Sequence, residues 1–309
     1  MSAPFAFGVQ LYATEDGAAW RKQARAAVDL GYRSVHLPDH LGGQFSPLPA
    51  LAAAALAAPE LHVGTLVLNC AIRHPVALAK ELATLDVLTE GRLQVGVGAG
   101  WQLTDFSRTG IDRLSPAARV RRLVECVSIL DNLWSGQELT HDGEFYRFAN
   151  ASGLPRPVQP ELPLLIGGGS AKVLRFAGQR ARAVGLDVPQ PTGRFDRRAF
   201  LLAAGWAAFR QRADWARTAA AEAGHELTLY QQIPSDLLHL SGDAPAEVAD
   251  RWGVVPEQLL DSPLALVGSV DEVAERLRQW RAASGVSYVI VPAEAMRAAQ
   301  PLVAELAGT

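Results

Sequence analysis

The chain has 309 residues, a formal net charge of −3 and a hydrophobic fraction of 49%. That balance supports a large core and excludes an intrinsically disordered chain, and the small acidic excess argues against a surface for nucleic acid or other polyanions. With only two cysteines, Cys70 and Cys126, a disulfide framework is excluded and a reducing, cytoplasmic setting fits.

Phe5 to Leu11 reads as a first strand, in a terminus without the basic and apolar regions of a secretory leader. Thr14 to Leu30 reads as a helix, with Trp20, Ala24, Ala27 and Val28 on one face and Gly31 closing it. Ser34 to Leu37 is a second strand, ended by Pro38. Leu48 to Ala58 is a short Ala-rich helix; the stretch from Pro49 to Pro59 is too short to span a bilayer, so no membrane association is expected. Leu61 to Leu68 is a third, continuously apolar strand. Pro75 to Leu88 is a helix with proline in its first turn. Leu93 to Val97 is the fourth strand, and Ser115 to Leu133 a long helix that buries Cys126.

The run from Trp134 to Pro163 breaks this rhythm, and its Asp142-Gly143 pair suggests a small hairpin within Leu139 to Phe148. The rhythm resumes with strand five at Leu164 to Ile166, a helix from Ser170 to Arg182, and strand six at Val184 to Val188. A helix ending near Arg212, strand seven at Leu227 to Ile233 and irregular helical pieces from Ser235 to Ser262 follow. Val270 to Ala283 is an amphipathic helix behind a capping box, Ser269 and Glu272. Val286 to Val291 is strand eight, and a last helix ends the chain. Strands that alternate with helices in this way predict a single-domain (β/α)8 TIM barrel over residues 1–309, with insertions at about 134–163 and 190–262.

In such a barrel the chemistry gathers where strands end, at the C-terminal face. His40 lies just past the tip of strand two, where an imidazole can exchange a proton near neutral pH; a polar loop histidine is the plainer alternative. Asp39 could orient it or simply turn the chain. His36 shares the parity of His40, but no third ligand stands at a firm spacing, so no metal site is expected. At tip three, Asn69 can bond amide edges and Arg73 can hold an anion or cap the sheet, whereas Cys70 has no base beside it.

Tip four reads Gly96-Val97-Gly98-Ala99-Gly100-Trp101. Alternate glycines allow a ligand close to the backbone, and Trp101 could wall a flat ring or lid the core. The spacing departs from G-x-G-x-x-G, with no helix directly after it, which argues against a Rossmann site. Tip five carries Gly167-Gly168-Gly169-Ser170 directly before a helix, with Arg175 one turn in. Bare amides at the positive end of a helix suit a phosphate; a Gly-rich turn with Ser170 as N-cap is the competing reading.

These landmarks in this order, with the phrase Ala83-Thr84-Leu85-Asp86-Val87-Leu88-Thr89-Glu90-Gly91-Arg92-Leu93, resemble the luciferase-like flavin and deazaflavin oxidoreductases, and most closely their coenzyme F420-dependent branch. The resemblance runs from Phe7 to Val291. It implies a flat cofactor ring in the barrel mouth, F420 or alternatively FMN. A non-prolyl cis peptide would back the ring at Leu66-Val67, beside Leu68 and Asn69. It further implies the cofactor phosphate on Gly167, Gly168, Gly169 and Ser170, and Gly98, Ala99, Gly100 and Trp101 along the ribityl chain. His40 becomes a proton donor or substrate-orienting group. Trp101 stands where some deazaflavin dehydrogenases carry a glutamate, a departure that speaks against sugar-phosphate chemistry.

The implied activity is hydride transfer between the deazaflavin and a small organic substrate. An FMN-dependent monooxygenase and a non-catalytic cofactor-binding barrel are the alternatives. The resemblance also implies a homodimer. Residues 134–163 and 190–262 are expected to supply the substrate lid and subunit contact, and Trp206, Phe209, Trp215 and Trp252 to line a pocket or pack in the core.

Overall fold

A computed structural model describes residues 3–240 and 245–309. At its centre stands a ring of parallel strands. They are β1 (Ala6–Gln10), β2 (Ser34–Leu37), β3 (His62–Thr65, resuming as Leu68–Asn69), β4 (Leu93–Gly98), β5 (Leu164–Gly168), β6 (Ala183–Leu186), β7 (Thr228–Gln232) and β8 (Val286–Pro292). Each pairs with the next, and β8 closes on β1 with Ile290 opposite Gly8. This is the expected TIM barrel.

Alternation along the strands sends one set of side chains inward and the other onto the surrounding helices. Leu66, Leu165, Ala183, Tyr230, Tyr288 and Ile290 form the inner cluster. Polar groups share that space. The His36 Nε2 lies 2.6 Å from the Tyr288 hydroxyl and 3.0 Å from Ser34 Oγ, and Tyr288 donates to Gln94 Oε1 at 3.2 Å. Burial, and secondarily His62, pushes the His36 imidazole down to about 3, so it is neutral at pH 7. His36 thus belongs to the barrel interior.

The outer layer comprises α1 (Gly17–Asp29), α2 (Pro47–Ala57), α3 (Pro75–Leu88), α4 (Leu103–Thr109), α5 (Pro116–Trp134), α6 (Ala171–Arg180), α7 (Arg197–Leu202), α8 (Trp206–Ala223), α9 (Pro245–Arg251), α10 (Pro256–Asp261), α11 (Val270–Ser284) and α12 (Gln300–Leu306). Their starts are written locally. Asp16 accepts the Ala19 amide at 2.7 Å before α1, proline occupies the first turn of α2, α3 and α5, and Ser269 with Glu272 forms the capping box of α11. Trp20, Ala24 and Ala27 face the core as expected. So do Phe209 and Trp252, while Trp206 and Trp215 pack on the core's edge, which assigns these aromatics to packing. The antiparallel hairpin Leu139–Asp142 with Arg147–Ala151 lies between α5 and β5. No described helix is long and apolar enough to cross a membrane.

The structure differs from the sequence expectation in the following respects. The helix expected to end near Arg212 is instead two, Arg197–Leu202 and Trp206–Ala223, so Arg212 lies in the middle of the second. The third strand is interrupted at residues 66–67. A short helix, α4, begins two residues after Trp101, where none was expected. The helix after tip five stops at Arg180 because Ala181 turns extended and the Arg182 amide already bonds the Leu164 carbonyl at 2.9 Å, starting β6.

Candidate active site

After β2 the chain turns through Pro38 and Asp39 to His40. Asp39 does not orient His40. Its carboxylate accepts from Arg73 at 2.7 and 2.8 Å and from the Asn69 amide at 3.1 Å, tying tip two to tip three. The same two bonds engage Arg73 with Asp39, so it is not a free anion holder. The partner of His40 comes instead from α4. His40 Nδ1–H donates to Asp105 Oδ2 at 2.7 Å, and Asp105 Oδ1 accepts the Leu41 amide at 3.0 Å. Asp105 is 1% exposed and His40 27%, so a buried carboxylate braces a ring that still reaches the mouth. With Nδ1 engaged, Nε2 is the ring atom available for proton exchange. Trp101 stands edge-on to the imidazole, ring centres 5.7 Å apart.

The Leu66–Val67 peptide is cis, at the place the resemblance implied. The β4 glycines make room for this break. A Cβ on Gly96 would run into the Thr65 carbonyl, and one on Gly98 would come within 2.7 Å of Val67 Cγ2. Leu66 belongs to the inner cluster, Leu68 packs in the outer core, and Val67 is half-buried between them. Asn69 is buried, its Oδ1 accepting the Ala71 amide at 2.9 Å. Its side chain fills the space beside Gly100, whose φ of +73° requires glycine in any case. Ala99, Gly100 and Trp101 remain half-buried along the rim.

At tip five, β5 runs into the ten-residue helix α6 through Gly169 and Ser170. The Ser170 hydroxyl accepts the Val173 amide at 3.4 Å, so the N-cap reading of this serine holds. Among the described residues no acceptor takes the amide N–H of Gly169, Ser170 or Ala171. Three unclaimed donors at the positive end of a helix are a donor set that fits a phosphate or another oxyanion. The missing side chains have internal reasons as well. A Cβ on Gly168 would meet Val173, and one on Gly169 would meet Pro189 at 2.5 Å.

Among the described residues no cluster of His, Cys, Asp and Glu could hold a metal ion. A recess of about 470 Å³ lies away from the strand tips, lined by Asp214, Arg217, Thr218, His225 and Leu227. Asp105 escaped the sequence reasoning. It sits in a short helix with no capping or periodic signature, and only the fold brings it to His40. A second carboxylate at the rim, Asp187, follows directly on β6. An acid closing an apolar strand was the signal available for it.

The model of the luciferase-like monooxygenase family matches residues 1–252. The F420-dependent glucose-6-phosphate dehydrogenase of Microbacterium testaceum is 34% identical over 163 residues, covering 50% of this chain and 48% of that protein. The match therefore spans about half the length of that relative. Among solved structures, an F420-dependent secondary alcohol dehydrogenase in complex with an F420–acetone adduct superposes with a TM-score of 0.78 at 18% identity, covering 99% of this chain and 98% of that one. A monooxygenase from Streptomyces bottropensis superposes with a TM-score of 0.76 at 24% identity, covering 97% and 98%. At such identities the likeness is one of fold.

Proposed function

The chain belongs to the luciferase-like monooxygenase family, and from that premise we propose that it is a coenzyme F420-dependent oxidoreductase moving hydride between the deazaflavin and a small organic substrate. The observation that carries this reading is a single rim bearing both an imidazole braced by a buried carboxylate and three unclaimed amides at a helix start. An F420-dependent dehydrogenase among the relatives, at 34% identity, supports F420 over FMN.

Each residue then has a task. The tip-five segment Gly167, Gly168, Gly169 and Ser170, with the Ala171 amide, holds the phosphate. Leu66, Val67 and Asn69 back the ring, Leu68 only anchors the strand from the outer core, and Gly98, Ala99, Gly100 and Trp101 flank the chain between ring and phosphate. Bound F420 supplies a two-electron hydride donor or acceptor. His40 Nε2 gives or takes the accompanying proton at the substrate, and Asp105 fixes the tautomer and plane of the ring. Trp101 in the place of a glutamate argues for a substrate other than a sugar phosphate.

The segment after β6 crosses to α4, where the Leu103 amide donates to the Gly193 carbonyl at 2.8 Å and Arg113 donates to the Pro191 carbonyl at 3.2 Å. That crossing supports residues 190–262 as substrate lid; a homodimer formed through 134–163 and 190–262 rests on the resemblance, and sedimentation would test it. Titration of the purified protein with F420 and with FMN tests the central reading. A saturable change in F420 fluorescence is expected. FMN binding with oxygen consumption on added reductant would move the protein to the monooxygenases, and binding of neither would refute both.

A further inference from the structure

Three neighbouring strands converge on one point of the inner rim, four staves round from β2 and therefore across the mouth from His40. β5 contributes Gly167, β7 contributes Tyr230, and Asp187 follows β6. A Cβ built on Gly167 would lie 2.6 Å from Asp187 Oδ2 and 3.2 Å from the Tyr230 hydroxyl. Glycine at 167 is therefore what gives the two oxygens room to face the same place.

Among the described residues no hydrogen bond or ion pair reaches the Asp187 carboxylate, and no hydrogen bond reaches the Tyr230 hydroxyl, although the Tyr230 ring is buried in the inner cluster. The cation whose field acts on Asp187 is Arg212, which itself donates to the Ala203 carbonyl at 2.9 Å. The Asp187 side chain is exposed to solvent, yet protein crowds it closely enough that desolvation raises its carboxyl above the usual range. It stands at the inner rim, with Gly167 and Tyr230 beside it and solvent on its open side. An unpaired acid in such a place is costly unless a ligand supplies donors.

We propose that Asp187 and Tyr230 form a hydrogen-bonding subsite for hydroxyl groups of the cofactor's side chain, next to the phosphate. This rests on the cofactor reading given above. Position argues for it. The Asp187 amide donates to the Gly168 carbonyl at 3.0 Å, so the carboxylate stands beside the amide cradle. An anion seated on the amides of Gly169 to Ala171 would repel a second anion at Asp187, but a neutral polyol satisfies it. In F420 and FMN alike, the group joining ring to phosphate is a ribityl chain with three hydroxyls.

The test measures cofactor affinity by fluorescence titration in wild type, Asp187→Ala, Asp187→Asn and Tyr230→Phe. A second probe carries the same ring and phosphate on a hydroxyl-free alkyl chain. For F420, or FMN if that is what the protein binds, Asp187→Ala should weaken binding about ten- to a hundredfold and Tyr230→Phe about two- to tenfold. Asp187→Asn, which keeps an acceptor oxygen, should lose less. The alkyl probe should bind Asp187→Ala at least as tightly as wild type, and without cofactor Asp187→Ala should melt no lower than wild type. Unchanged or tighter F420 binding by Asp187→Ala overturns the subsite, as does an equal loss for the alkyl probe. If wild type binds neither F420 nor FMN, the cofactor reading itself has failed and the subsite falls with it.

Discussion

His40 illustrates how one side chain's chemistry depends on a residue far away in sequence. The imidazole hangs from β2, but its orientation is set by Asp105 on α4, at 2.7 Å and almost fully buried. Removing the imidazole should lower turnover about 10²–10⁴-fold if it moves a proton in the rate-limiting step. Asp105→Asn can accept from the ring without stabilising positive charge on it. We expect turnover to fall while F420 affinity stays within twofold; equal losses in both would assign Asp105 to general stability. His36 makes a different prediction. Its folded-state value near 3 lies below the ordinary 6.5 because burial excludes the cation. As pH falls below 6.5 the unfolded chain takes up a proton that the folded chain refuses, so stability is lost toward acid and kept at neutral pH. Between pH 7 and pH 5 this group alone should cost about 2 kcal/mol. In urea unfolding at the two pH values, His36→Gln should lose correspondingly less than wild type, and parallel losses would show that other groups dominate.

At the scale of elements, β3 and β4 are shaped for each other. The Thr65 carbonyl stands where a Cβ on Gly96 would lie, and glycine leaves it room. Because the obstacle is backbone, it cannot swing aside as a side-chain tip would. Gly96→Ala should therefore destabilise the barrel by about 1–3 kcal/mol, the usual cost of overpacking a core, with lost cofactor affinity if the tip of β3 shifts. Urea midpoints unchanged from wild type would show that β3 moves freely. The same region shows what the sequence disclosed. Its apolar run announced a strand, and glycine alternation announced close approach at tip four. The interruption followed only from the resemblance, since no local pattern distinguishes Leu66-Val67 from its neighbours. Proline and Ser/Asp starts located most of the helices, because capping is chemistry within a few residues. The helix α4 went unseen, seven residues being too few for a period, and with it went Asp105. Asp39 and Arg73 stood close to the right places, but which partner each takes is decided where loops of different strands meet.

The whole molecule is a closed sheet whose interior is largely filled below the rim, by Tyr230, Tyr288, His36 and the apolar residues around them. A ligand entering at the C-terminal end therefore stays at the rim, where tips two, four, five and six lie on different sides of one opening. A cofactor seated there bridges staves that otherwise meet only through neighbours, and it binds the folded chain alone. Mass action then requires that F420 at a hundred times its dissociation constant add about 2.7 kcal/mol to unfolding stability. The gain should rise with the logarithm of concentration and vanish in a variant unable to bind. Inorganic phosphate, which can occupy the cradle of Gly169 to Ala171 but spans nothing, should stabilise only at concentrations high enough to fill that site. Melting curves over a range of F420, FMN and phosphate concentrations separate these cases. A shift with phosphate as large as with F420, at equal saturation, is also required by linkage, so the decisive measurement is the ratio of concentrations that produce it. If F420 needs as much ligand as phosphate does, the ring contributes no binding energy, and Leu66, Val67 and Trp101 are not the walls of its site.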